Sequence, residues 1–171
     1  AAEHYLFDTL EWLTTHGIFP DQEVIDGVYV SLRDKDSLEK LYQQGFFPIN
    51  ITNIVIDLNF VSLDMLATHN ILPSKNDFDA LLRGFADFDM IEWLLEKDIH
   101  PTEKGYETVV NECNDSVLIL LIEYNVWPSQ KIVNDLLEDD NIPKLDILCD
   151  NGFVPDENTI KNGNYGGDTK L

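Results

Sequence analysis

The stretch LEWLTTHGIFP, residues 10–20, is followed along the chain by five variants of itself. They are LEKLYQQGFFP (38–48), LDMLATHNILP (63–73), IEWLLEKDIHP (91–101), LILLIEYNVWP (118–128) and LDILCDNGFVP (145–155). The closing prolines lie 28, 25, 28, 27 and 27 residues apart. Self-similarity at a fixed period of this size marks stacked supersecondary units, each unable to bury its apolar face alone.

Three signals in the phrase agree on a helix end. Three residues before each proline stands Gly17, Gly45, Asn70, Asp98, Asn125 or Gly152, the residue types that tolerate a left-handed backbone after a helix. An apolar follower comes next (Ile18, Phe46, Ile71, Ile99, Val126, Phe153), poised to fold back on the last turn. Proline then forbids continuation.

Counting back from the cap, position minus seven is Leu10, Leu38, Leu63, Ile91, Leu118 or Leu145, and position minus four is always leucine. With the neighbours Tyr42, Ala67, Leu95, Ile122 and Cys149, that spacing makes one apolar face of a short helix, helix B. Counting forward from the proline, Asp21, Ser74, Thr102, Ser129 and Asp156 are N-cap residues for a helix A. Ile49 breaks that row, leaving Asn50 or Thr52 to cap a shorter start. Apolar stripes follow: Ile25, Val28, Tyr29 and Leu32; Phe78, Leu81, Leu82 and Phe85; Tyr106, Val109, Val110 and Cys113; Val133, Leu136 and Leu137. The expected fold is an all-α solenoid of about six helix-turn-helix repeats of 25–28 residues. Residues 1–160 form one helical-repeat domain and 161–171 a flexible tail. Helices this short are marginal alone and gain stability by stacking. The second unit, three residues short and rich in β-branched side chains, is expected to carry an irregular helix A.

In 171 residues, 32 Asp and Glu face 11 Lys and Arg, a formal net charge of −21. That balance opposes a direct nucleic-acid ligand, which needs cations to displace counterions. It fits solubility, a basic protein partner or imitation of a polyanion. Apolar runs such as Val117 to Ile122 are too short to span a bilayer. The first residues carry no signal-peptide pattern, and Cys113 and Cys149 read as free, buried thiols of a reducing, cytoplasmic location.

The phrase L-x-x-L-h-x-x-G-h-x-P resembles the second helix and exit of an ankyrin repeat over about residues 7–160. The resemblance implies ankyrin-like stacking and a protein-binding role. This chain departs from it in lacking the T-P-L-H start, where Asp21-Gln22-Glu23-Val24 stands, and the glycine between the two helices. Its unit is also about a β-finger shorter than the usual 33 residues or so. It is similar to the shortened ankyrin-like repeats of large DNA viruses and some intracellular bacteria, which would place it in a host cell. Gly17-Ile18-Phe19-Pro20-Asp21 also resembles the end of a pentatricopeptide repeat, an RNA reader. Unit length and charge oppose that alternative.

No phosphate loop, G-x-S-x-G, H-E-x-x-H or paired histidine ligand set occurs, so no enzyme activity, metal or cofactor is expected. His16 and His69 share the position before the cap, where a helix C-terminus favours them. The run Glu138-Asp139-Asp140 has no EF-hand spacing and reads as a solvated turn, a weak cation site or a docking patch. Recognition falls to the surface. Six after the proline, Asp26, Asp79, Glu107 and Asn134 lie out of phase with the apolar stripe and are expected to line one exposed face, with Ile54 interrupting. One further on, Gly27, Val55, Ala80, Thr108 and Asp135 are mostly small enough for close helix approach. Directly before the prolines, Phe19, Phe47, Leu72, His100, Trp127 and Val154 either pack between repeats or meet a partner. Trp12 and Trp93, five before their caps, carry the same two readings. The function expected is a non-catalytic scaffold for a basic protein segment. A polyanion-mimicking inhibitor and a small structural subunit are the alternatives.

Overall fold

A computed structural model describes residues 2–84 and 86–154, with side chains from Phe7 onward. The described residues are all-helical, eleven α-helices with no strand. Five are helices A: α2 (Gln22–Ser31), α4 (Thr52–Ile56), α6 (Lys75–Arg83), α8 (Glu103–Glu112) and α10 (Gln130–Glu138). Six are helices B: α1 (Ala2–Thr15), α3 (Lys35–Gln43), α5 (Phe60–Thr68), α7 (Phe88–Glu96), α9 (Asp115–Glu123) and α11 (Ile142–Asp150). None of them is long and apolar enough to cross a membrane.

Each B helix ends as its residues dictate. All six cap residues have φ between 58° and 101°. Each follower N–H returns to the carbonyl of the leucine four before the cap, as in Ile18 to Leu13 (2.9 Å) and Val126 to Leu121 (2.8 Å). This pattern occupies carbonyls that a helix end leaves bare. Two further left-handed residues, Leu58 and Asp140, close α4 and α10. Asn59 N–H then reaches Ile54 O, and Asn141 N–H reaches Leu136 O.

Side-chain oxygens of Asp21, Ser74, Thr102 and Ser129 accept N–H groups three residues on, and Ser74 with Asp77 completes a capping box. The cap expected at Asn50 or Thr52 is not formed. Ile51 holds that place without a side-chain hydrogen bond, and α4 runs only five residues. The Thr52 hydroxyl is directed instead to the Asp77 carboxylate on the next helix A. The Asp156 cap, Phe85 and the 161–171 tail lie outside the described residues.

Packing follows the alternation. α2 contacts α4, α4 contacts α6, α6 contacts α8, and α8 contacts α10. On the other side α3 meets α5, α7 meets α9, and α9 meets α11. The leucines and isoleucines at minus seven and minus four are buried in a continuous core, except Leu13, which is half-buried. Both cysteines are free, Cys113 half-buried and Cys149 exposed. The expectation of two buried thiols fails at Cys149, on a face of α11 that no described helix covers. Burial raises both thiol pKa values, with Lys144 pulling the other way at Cys113.

Polar links cross between units at both ends of the A helices, and their chemistry matches the helix ends. At N-termini, acceptors meet bare N–H groups. At C-termini, donors meet bare carbonyls. The fully buried Asn59 amide donates to Tyr29 O and Leu32 O (both 2.8 Å) at the end of α2. Lys144, almost fully buried, donates to Cys113 O (3.1 Å) at the end of α8 and pairs with Asp115 (2.8 Å). The Tyr29 and Tyr106 hydroxyls donate to the follower carbonyls Phe46 O (2.8 Å) and Val126 O (3.2 Å).

Candidate interaction surface

Of the row expected to form an exposed acidic face, Asp79 is buried and Asp26, Glu107 and Asn134 are half-buried. Asp79 accepts the Thr102 N–H (3.0 Å) and the Thr102 hydroxyl. Asp26 accepts the Ile49 N–H and the Gln22 amide (both 2.8 Å). Glu107 accepts from Lys131 (2.9 Å), and Asn134 from the Gln130 amide (3.3 Å). The physical reason is the neighbouring unit. A carboxylate six residues past one proline stands beside the start of the next helix A, whose first N–H groups have no partner within their own helix. Phase relative to the helix's own stripe reveals none of this.

Among the described residues, exposed carboxylates on the A side border open grooves. Between α8 and α10 a groove of about 320 Å³ is floored by Val110, Ile132 and Leu136 and rimmed by Glu107, Asp135, Glu138 and Asp139. Between α2 and α4 a wider one of about 670 Å³ is lined by Val30 and Ile56 with Glu23, Asp26 and Asp57. Its width follows from the brevity of α4. At the first groove Lys131 lies 2.9 Å from Glu107, 3.9 Å from Glu103 and 4.0 Å from Asp135. Its ammonium pKa is raised, first by the Glu107 hydrogen bond and then by these surrounding charges. Both rims carry carboxylates, and at the second groove Asp57 is paired with Arg33 (3.1 Å).

The residues before the prolines resolve toward solvent. Phe19, Phe47, Leu72, Trp127 and Val154 are exposed, and His100 is half-buried with its imidazole 3.3 Å from Asp98. Phe47 leans on Tyr42 and Trp127 on Phe153, with ring centroids 6.2 and 6.1 Å apart. The left-handed cap turns the chain back at each helix end, so this position sits at the rim of every inter-unit loop. The two tryptophans at minus five part company. Trp93 is buried and donates to Asp64 (2.8 Å), whereas Trp12 is exposed and stacked on His16.

His69 stacks on Tyr42 (3.8 Å) with Nε2 2.9 Å from Glu39. That hydrogen bond is the foremost cause of the lowered Glu39 pKa, with Gln43 next. Sequence reasoning missed Asp64, Asn59 and Lys144, whose partners lie about thirty residues away. Their spacing of nearly one repeat was the available signal. No protein-family model matches the sequence, and no curated protein matches it either.

Proposed function

We propose that this chain is a non-catalytic protein-binding scaffold, an ankyrin-like α-solenoid of about six short repeats without long β-fingers. Its partner is a basic protein segment, met in the cytoplasm. The observation that carries the reading is the pre-proline row, apolar at five of six positions and exposed at those five. Side chains of that size left in solvent at matching positions are most simply kept for contact. The acidic rims beside Glu138 and Glu23 add attraction for Lys and Arg. Imitation of a polyanion is less well supported, because Asp79 is buried on Thr102, Asp26 accepts the Ile49 N–H and Glu107 is paired with Lys131.

A labelled amphipathic peptide of lysine and leucine tests the reading by fluorescence anisotropy. Binding is expected to weaken with added salt. The exchanges Glu138→Lys with Asp139→Lys, or Phe19→Ala with Trp127→Ala, should weaken it about tenfold or more, the loss of a single anchor's worth of energy. Unchanged affinity in both double variants would refute the surface assignment. Charge reversal belongs at Glu138 and Asp139 because both are exposed, whereas reversal at Asp79 would break its buried bonds to Thr102.

A further inference from the structure

The groove between α2 and α4 differs from the one between α8 and α10 in what it leaves unsatisfied. At α8 and α10 the floor residues Val110, Ile132 and Leu136 are buried, and Lys131 is bonded to Glu107. At α2 and α4 the apolar lining is accessible, with Val30 half-buried and Ile56 46% exposed. Both helices of this groove are described, and it stands open because α4 stops after five residues. Beside it Ile49, whose N–H is held by Asp26, is 72% exposed. The matching positions in other units hold the helix caps Ser74, Thr102 and Ser129.

The polar lining is equally uncommitted. Glu23 and Asp26 meet no cation among the described residues, and the donors printed on Asp26 are the uncharged Gln22 amide and Ile49 N–H. Arg33, past the far end of α2, is engaged by the Asp57 carboxylate and by the carbonyls of Val30 and Asp57. Asn50 and Asn53 line the α4 side, both exposed, and neither amide is bonded among the described residues.

These features select a backbone conformation for the occupant. An asparagine amide both donates and accepts, so it can serve the carbonyl and the N–H of a peptide. An extended strand offers both groups, whereas a helix uses them internally. Asp26 and Val30 are about one turn apart on α2, about 6 Å along its axis. Alternate residues of an extended strand share one face and lie about 7 Å apart.

We infer that the groove between α2 and α4 takes an extended segment of a partner protein in which a lysine or arginine stands two residues from a large aliphatic side chain. The cation meets Glu23 and Asp26, the aliphatic side chain covers Val30 and Ile56, and Asn50 and Asn53 bond the backbone. This assignment rests on the protein-binding role proposed above, to which it adds a seat, a conformation and a residue spacing.

Fluorescence anisotropy of the full chain with a short labelled peptide of alternating lysine and leucine tests it. A control of the same composition, stapled into a helix, is expected to bind about tenfold more weakly. Asn50→Ala with Asn53→Ala should weaken the extended peptide about tenfold, Ile56→Ser about as much, and Glu23→Gln about threefold. All four side chains are exposed, so the variants should keep the wild-type circular dichroism and melting profile. Equal binding of the stapled control would overturn the inference. Affinity that survives in all these variants yet falls when Glu138 and Asp139, or Phe19 and Trp127, are exchanged would overturn the groove and leave the protein-binding role standing. Self-association of the free chain that the same variants abolish would put a second copy in the groove and overturn it too. Absence of binding by either peptide would overturn both readings.

Discussion

The junctions of α6 with α8 and of α2 with α4 are built from the same positions and end as opposites. In both, a carboxylate six past a proline reaches the N–H just after the next proline, Asp79 to Thr102 and Asp26 to Ile49. In the first junction the next helix has ten residues, and Gly105 leaves room for the carboxylate to lie against it. In the second the next helix has five residues and no side-chain cap, and a groove of about 670 Å³ stands open. One device therefore gives a sealed junction or an accessible cleft, depending on the length of the helix that follows.

Removing each carboxylate should produce the largest contrast. Asp79→Ala takes two bonds from a buried site and leaves the start of α8 short of an acceptor, an expected loss of about 3 kcal/mol. Asp26→Ala acts at a half-buried site where water can replace the carboxylate, an expected loss of about 1 kcal/mol. Urea unfolding measures both, and equal losses would break the distinction between sealed and open junctions.

Next come the glycines, with opposite signs. A Cβ on Gly105 would stand 2.0 Å from Asp79 Oδ1, whereas one on Gly27 meets nothing within 4 Å. Gly105→Ala should cost about 2 kcal/mol by expelling the carboxylate, even after its gain in helix propensity. Gly27→Ala should stabilise by about 0.5–1 kcal/mol. The double variant Asp79→Ala, Gly105→Ala should be no less stable than Asp79→Ala alone, because the clash has lost its second partner.

The smallest effect is alkaline. Burial is the main cause that holds the Tyr29 and Tyr106 phenols above the ordinary tyrosine range, with the Glu39 and Tyr42 charges adding at Tyr29 alone. A folded-state pKa above the unfolded one gives stability that is complete below the ordinary phenol value, about 10. It is lost as pH rises toward the folded value. Tyr106→Phe and Tyr29→Phe should each flatten the decline seen in melting temperature above that pH. Added salt should soften the Tyr29 share only, since screening acts on charges and not on burial.

Much of this was legible in the chain because it is local. The six left-handed caps, their followers and the caps at Asp21, Ser74, Thr102 and Ser129 depend on residues within five or six positions of one another. The shortened α4 was legible too, from a spacing of 25 residues between Pro48 and Pro73. The site was less so. Asp79 and Asp26 read alike, as did Trp12 and Trp93, and nothing within one repeat separates them.

By itself the sequence determined where each helix stops, which face of it is apolar, and that the units recur. Backbone sterics and 3.6-residue periodicity act along the chain and need no neighbour. Only the tertiary structure decided which carboxylates are engaged, which tryptophan is covered, and where a groove opens. Those outcomes turn on what the adjacent unit offers, a bare N–H, an Asp64 or a helix too short to close the gap.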